Sequence, residues 1–161
     1  MLDFSIESLP EILPVFPLEG VLLLPKGRLP LNIFEPRYIN MTNDALASKL
    51  RLIVMTQPNL QYPNNIYNIG CAGKIISFEE TADKRYLITL EGILRCEIKN
   101  DITENGGYRR MKVDFNRFSD DLKYSDDTIE RSNFLRVLKN YFKIKKISTD
   151  WNIINNLDNQ S

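Results

Sequence analysis

The stretch from Tyr86 to Lys99 constrains this chain more than any other. Its even positions read Tyr86, Ile88, Leu90, Gly92, Leu94, Cys96 and Ile98, and its odd positions include Thr89, Glu91, Arg95, Glu97 and Lys99. Alternation of period two puts successive side chains on opposite faces of an extended backbone, so this is a long strand with one face buried. Gly92 interrupts the apolar row, which marks a bend or the close approach of another backbone. Ile69 to Glu79 precedes it across a turn around 82–84 and reads as its hairpin partner.

The rest of the chain supplies further strands and one early helix. Ile12 to Leu18 is a short strand whose Pro14 and Pro17 place it at a sheet edge or on a curve. Val21 to Leu24 and Leu31 to Phe34 read as two more strands, joined by a loop over 25–30 with Gly27 at its middle. Pro36 suits the first turn of a helix, and Ile39, Thr42, Leu46 and Leu50 predict its buried stripe. Leu52 to Thr56 is a strand, 57–68 is a loop rich in Asn and Pro, and Tyr108 to Phe118 is a final strand after the glycine-rich 105–107. About five to seven strands with one helix predict an α+β, mainly β fold with a curved or barrel-like sheet over 9–120. From 121 to 161 the pattern is helical. Asp127 and Glu130 form a capping box, Leu135, Leu138 and Phe142 stripe one face, and Lys139, Lys143, Lys145 and Lys146 occupy the rest. Thr149 is the expected cap of a last turn.

Composition excludes several function classes. With 161 residues, 43% of them hydrophobic and 26% charged, the chain can bury a full core. Lys plus Arg and Asp plus Glu are 21 each, without the basic excess that phosphate binding favours. There is no histidine, which removes the Ser-His-Asp triad and the HExxH zinc helix, and neither a P-loop nor a GxGxxG fingerprint occurs. Cys71 and Cys96 lie far apart and outside any CxxC pair, so two buried thiols are expected, with a disulfide as the alternative. The acidic pairs Glu79–Glu80 and Asp120–Asp121 read as solvated turns. The expectation is no catalytic residue, no cofactor and no metal. The acidic N-terminus lacks a signal's basic region, and the run from Val21 to Leu24 is too short for a span, which points to the cytoplasm and no membrane.

Against this background, LPVFPLEGVLLLPKGRLPLNIFEPRY, the MTQP at Met55 to Pro58, IYNIGCAGKI from Ile66 and YLITLEGILRCEI from Tyr86 occur in order across roughly residues 10–118. Together they resemble the N-terminal, substrate-binding domain of Lon proteases, in the manner of the short stand-alone bacterial relatives. The resemblance implies a PUA-like pseudo-barrel with one crossing helix, followed by a helical segment. It implies binding of unfolded or tagged polypeptides, support of hexamer assembly, and an ATPase and peptidase that lie beyond this chain. Relatives continue past a TDW-like motif into more helix, so the segment ending at Ser161 is read as incomplete.

Two sets of residues follow from this reading. Leu24, Leu29 and Pro30 flank the 25–30 turn and are the candidate peptide-binding rim, for client polypeptides or for a Lon-type protease partner. Glu35, Pro36, Arg37, Glu91 and Gly92 are framework candidates: Glu35 near the helix N-terminus, and Arg37 clamping the helix to Glu91 beside Gly92. The alternative function is RNA binding, by fold analogy and through a stripe joining Arg109, Arg110 and Lys112 to Lys143–Lys146. Leu135, Leu138, Phe142 and Trp151 predict docking on one another, on the barrel or on a second chain.

Overall fold

The alternating stretch forms the central strand β5 (Tyr86–Asp101) of the computed structural model, which describes residues 5–103, 107–123 and 130–156. Ile88, Leu90, Leu94, Cys96 and Ile98 are all buried, as the period requires. The other strands are β1 (Ile12–Pro17), β2 (Arg28–Ile33), β3 (Leu52–Thr56), β4 (Ile69–Glu80) and β6 (Arg109–Asp114). They form one six-stranded sheet in the order β2-β5-β4-β3-β1-β6. β6 also pairs with the last part of β5, so β5, β4, β3, β1 and β6 close into a ring and β2 lies along the first half of β5. All pairings are antiparallel except β1 with β3.

Closure explains why β3 is buried on both faces. Leu52 and Val54 join Leu13, Val15, Leu94, Cys96, Met111 and Val113 in one cluster, which fills the small barrel with side chains. Ile53 and Met55 face a second cluster with Phe16, Leu31, Ile33, Ile88 and Leu90, covered by Tyr38, Met41 and Ala45 of helix α1 (Pro36–Ala47). The even row of β5 passes from the second cluster to the first at Gly92, where the β4–β5 register shifts between Ala72 and Gly73. Cys71 and Cys96 are free thiols, one in each cluster.

Several expectations change. Val21 to Leu24 forms no strand and runs as irregular coil, and the following strand starts earlier, at Arg28 rather than Leu31. The last strand of the sheet stops at Asp114, and a 3-10 segment (Asn116–Leu122) follows. Helix α1 does begin at Pro36, but its buried face is Tyr38, Met41, Thr42 and Ala45, with Ile39 and Leu46 only flanking the core. Leu50 falls beyond the helix end, because the Ser48 hydroxyl donates to Ala45 O (2.7 Å) and accepts from Arg51 N (3.1 Å). The buried Thr42 hydroxyl is satisfied by Tyr38 O at 2.8 Å.

Contacts divide the chain into Met1–Lys123 and Tyr124–Ser161. The second unit holds α2 (Arg131–Lys145) and α3 (Trp151–Asn156). Asp127 of the expected capping box lies outside the described residues, as do Asn105 and Gly106; Glu130 itself is the N-cap residue, without a side-chain cap bond. The last turn is capped by Asp150 and not Thr149: its Oδ1 accepts from Asn152 N at 2.9 Å. Leu135, Leu138 and Phe142 are half-buried, and the Phe142 ring lies 5.4 Å from that of Trp151.

Candidate functional site

Two loops build an apolar groove beside the barrel. The first is 21–24. Pro25 and Lys26 then turn the chain, with Gly27 N bonded to Leu24 O at 2.9 Å and Lys26 at a φ of 66°. The turn is fastened to β5 by Lys26 N to Gly92 O (2.7 Å) and Gly92 N to Gly27 O (2.8 Å). Leu23 thereby points into the core, whereas Leu22 and Leu24 remain 70% and 53% exposed. The second loop, 57–68, is held by its own backbone bonds, by Asn64 Nδ2 donating to Lys99 O (3.3 Å), and by the Arg109 guanidinium donating to Asn64 O (2.5 Å). Gln57 joins the loops by donating from Nε2 to Val21 O at 2.9 Å.

Between them lies a cavity of about 420 Å³, lined by Leu22, Leu24, Met55, Tyr62, Tyr67 and Ile69 among others. The Tyr62 and Tyr67 rings sit 5.5 Å apart and both are partly exposed. Among the described residues Arg95 is the only charged side chain in the lining, and it is engaged elsewhere. Its Nε and Nη2 bond the Asp121 carboxylate at 2.9 and 2.7 Å, and its guanidinium stacks 4.6 Å from the Phe118 ring. This arrangement presents apolar and aromatic surface on pinned backbone, suited to holding an apolar side chain.

Of the expected rim residues, the structure brings Leu24 to this groove and separates the others from it. Leu29 is half-buried against the α1-covered core cluster. Pro30 lines a different depression on β2 and β5, with Leu87 and Thr89. Tyr62, Tyr67 and Gln57 were not singled out by the sequence reading. Two tyrosines in a loop whose other residues, apart from Leu60 and Ile66, are Asn, Pro and Gln are the available signal, since solvated loops have little use for large rings.

The framework set is also rearranged. Arg37 does not reach Glu91: it pairs with Glu35 at 2.8 Å and stacks 4.6 Å from Tyr38. Glu91 lies directly opposite Arg28 in the β2–β5 ladder and pairs with it at 3.5 Å. The space beside Gly92, expected to admit a guanidinium, is filled by the Leu24 carbonyl. Asp121 is not a solvated turn residue; the Arg95 hydrogen bond holds its carboxyl below the usual range. In the basic strand, Lys112 pairs with Glu11 at 3.3 Å and Arg109 serves the 57–68 loop. Burial pushes the Cys71 thiol up to about 12 and the Cys96 thiol higher. Among the described residues no group of three or more His, Cys, Asp or Glu is placed to hold a metal ion, and no helix is long and apolar enough to cross a membrane.

The family model of the ATP-dependent protease La (LON) substrate-binding domain matches residues 12–161. The Lon protease of Dictyoglomus thermophilum is 26% identical over 140 residues, covering 85% of this chain and 17% of that protein. Lon protease 2 of Syntrophobacter fumaroxidans is 30% identical over 112 residues, covering 67% of this chain and 14% of that protein. The chain thus spans a small fraction of the length of these curated relatives. Among solved structures, the N-terminal domain of the Mycobacterium avium complex Lon protease superposes with a TM-score of 0.60 at 14% identity, covering 89% of this chain and 73% of that one. A Lon N-terminal domain protein from Xanthomonas campestris gives 0.53 at 23% identity, covering 65% and 59%. The chain belongs to the LON substrate-binding domain family.

Proposed function

We propose that this member of the LON substrate-binding domain family is a non-catalytic module that binds exposed apolar segments of polypeptides, in unfolded clients or in a protease partner. The observation that carries the reading is the groove, where Leu22, Leu24, Tyr62 and Tyr67 are presented together on two cross-bonded loops. Large apolar side chains held outside a core favour association, and pinned loops reduce the ordering cost on binding. The RNA reading receives less support, because Lys112 and Arg109 are engaged with Glu11 and Asn64 and the chain has no net positive charge.

The test is fluorescence anisotropy with labelled casein as an unfolded polypeptide and with a labelled structured RNA. Casein should bind, and the double variant Leu22→Asp, Leu24→Asp should bind at least about tenfold more weakly with an unchanged melting temperature. RNA binding without casein binding, or full casein binding by the double variant, would refute the proposal.

A further inference from the structure

The groove between 21–24 and 57–68 also holds polar groups that its apolar walls do not explain. Arg95 lines it from β5, while its partner Asp121 stands outside the lining with a side chain only 9% exposed. The Asp121 carboxylate accepts from Arg95 N, Nε and Nη2 at 2.9, 2.9 and 2.7 Å, and the Phe118 ring lies 4.6 Å from the guanidinium. The guanidinium is therefore fixed in place, yet only two of its five N–H donors go to Asp121. The other three have no hydrogen-bond partner among the described residues. Asn68, just before β4, lines the same groove and is exposed, and its side-chain amide likewise has no partner among the described residues.

The pairing of Arg95 decides what these donors fit. A bare guanidinium in an apolar groove selects carboxylates. Here Asp121 supplies the opposite charge at hydrogen-bond distance, and what is left is a rigid fork of donors with its charge largely cancelled. Such donors match a neutral acceptor, and the one that every polypeptide repeats is the main-chain carbonyl. Inside a helix those carbonyls are already bonded, whereas in an unfolded segment only water holds them. We infer that Arg95 and Asn68 donate to main-chain carbonyls of a bound segment whose apolar side chains lie against Leu22, Leu24, Tyr62 and Tyr67. Asp121 is then the specificity residue, which keeps this recognition indifferent to acidic sequence. The groove takes extended, unpaired polypeptide and discriminates against preformed helix. This inference rests on the polypeptide-binding reading and adds which feature of the chain is recognised.

The probes are labelled peptides of about ten residues, titrated by anisotropy. One is linear, with Leu-Phe-Leu at its centre and Asn and Gly at its flanks. A second carries Asp in place of Asn, and a third is a hydrocarbon-stapled helix with Leu, Phe and Leu on one face. Wild type should bind the linear neutral peptide at least about fivefold more tightly than the stapled helix, and within about twofold of the acidic peptide. Arg95→Met with Asp121→Leu removes both charges together and should weaken the linear peptide at least about fivefold without weakening the stapled helix. Asp121→Asn should replace the indifference by a preference of at least about fivefold for the acidic peptide, fading at high salt. If the linear peptide does not bind, or binds Leu22→Asp, Leu24→Asp protein equally well, the polypeptide-binding reading has failed and this inference with it. If it binds and depends on those leucines, three results overturn the inference alone. They are equal binding of the stapled helix, full binding by Arg95→Met, Asp121→Leu protein, and an Asp121→Asn variant that stays indifferent to the acid. Where circular dichroism shows that the double variant does not fold, the stapled helix and Asp121→Asn decide.

Discussion

Replacing Gly92 by alanine tests whether the groove depends on a backbone contact or only on its side chains. A Cβ at Gly92 would lie 2.0 Å from Leu24 O, 2.8 Å from Leu24 C and 3.3 Å from Pro25 Cα. These are backbone atoms and no rotamer change relieves them, so the 24–27 turn must leave β5. Its two hydrogen bonds to Gly92 go with it, each contributing about 0.5–1.5 kcal/mol net. Leu23, 4% exposed and packed against Gly73, is carried on the same segment, and loosening it forfeits part of the ~1.5–3 kcal/mol its burial supplies. Alanine regains about 0.5–1 kcal/mol of backbone entropy relative to glycine. The net destabilisation is about 2–3 kcal/mol, read by urea denaturation with an unchanged m value. Casein binding should weaken in folded Gly92→Ala protein, because Leu22 and Leu24 move with the turn. A variant within about 0.5 kcal/mol of wild type that binds casein normally would refute this reasoning.

Asp121→Asn should cost about 1–2 kcal/mol at pH 7, since its nearly buried carboxylate receives three hydrogen bonds from Arg95, one of them from the backbone N–H, while the Arg95 side chain is half exposed. Its folded pKa is depressed, so the stabilisation is present above the unfolded value near 3.9 and lost as pH falls through the folded one; urea curves of the two proteins should converge below about pH 4. Tyr108, pushed up to about 12 by burial and then by its 2.6 Å hydrogen bond to Asp44, contributes stability that is complete below about pH 10 and lost as pH rises toward 12. Ultraviolet titration should show a tyrosine ionising near 12 that Tyr108→Phe removes. Cys71 and Cys96 should resist a disulfide-exchange reagent at pH 8 in the native protein and react in urea, because burial disfavours both thiolates. Arg37→Ala should change stability by no more than ~1 kcal/mol by thermal melt, since its pair with Glu35 is on the surface.

The alternation of Tyr86 to Ile98 was enough to fix a half-buried strand and its hairpin partner, because period two is a property of the extended backbone itself. Pro36 likewise set the start of α1 through its own missing N–H. The stripe of α1 was less legible. Tyr38 and Met41 compete with Ile39 and Leu46 for the core, and the choice rests on the Phe16 ring, 4.2 Å from Tyr38, which comes from β1. Arg37 and Glu91 illustrate the same limit. Their charges were plain in the sequence, but ladder register put Arg28 across from Glu91 and left Arg37 to its neighbour.

Local sequence therefore determined the strand periods, the helix start and the absence of histidine chemistry, each of which depends on residues close together along the chain. Gly92 also marked a close backbone approach, but not which backbone. Only the closed sheet decided that it was the 24–27 turn, that Leu23 faces in while Leu22 and Leu24 face out, and that two tyrosines from a loop some forty residues later, roughly, complete the groove. Such pairings are set by register and closure across the whole sheet, and no short window of sequence contains both partners.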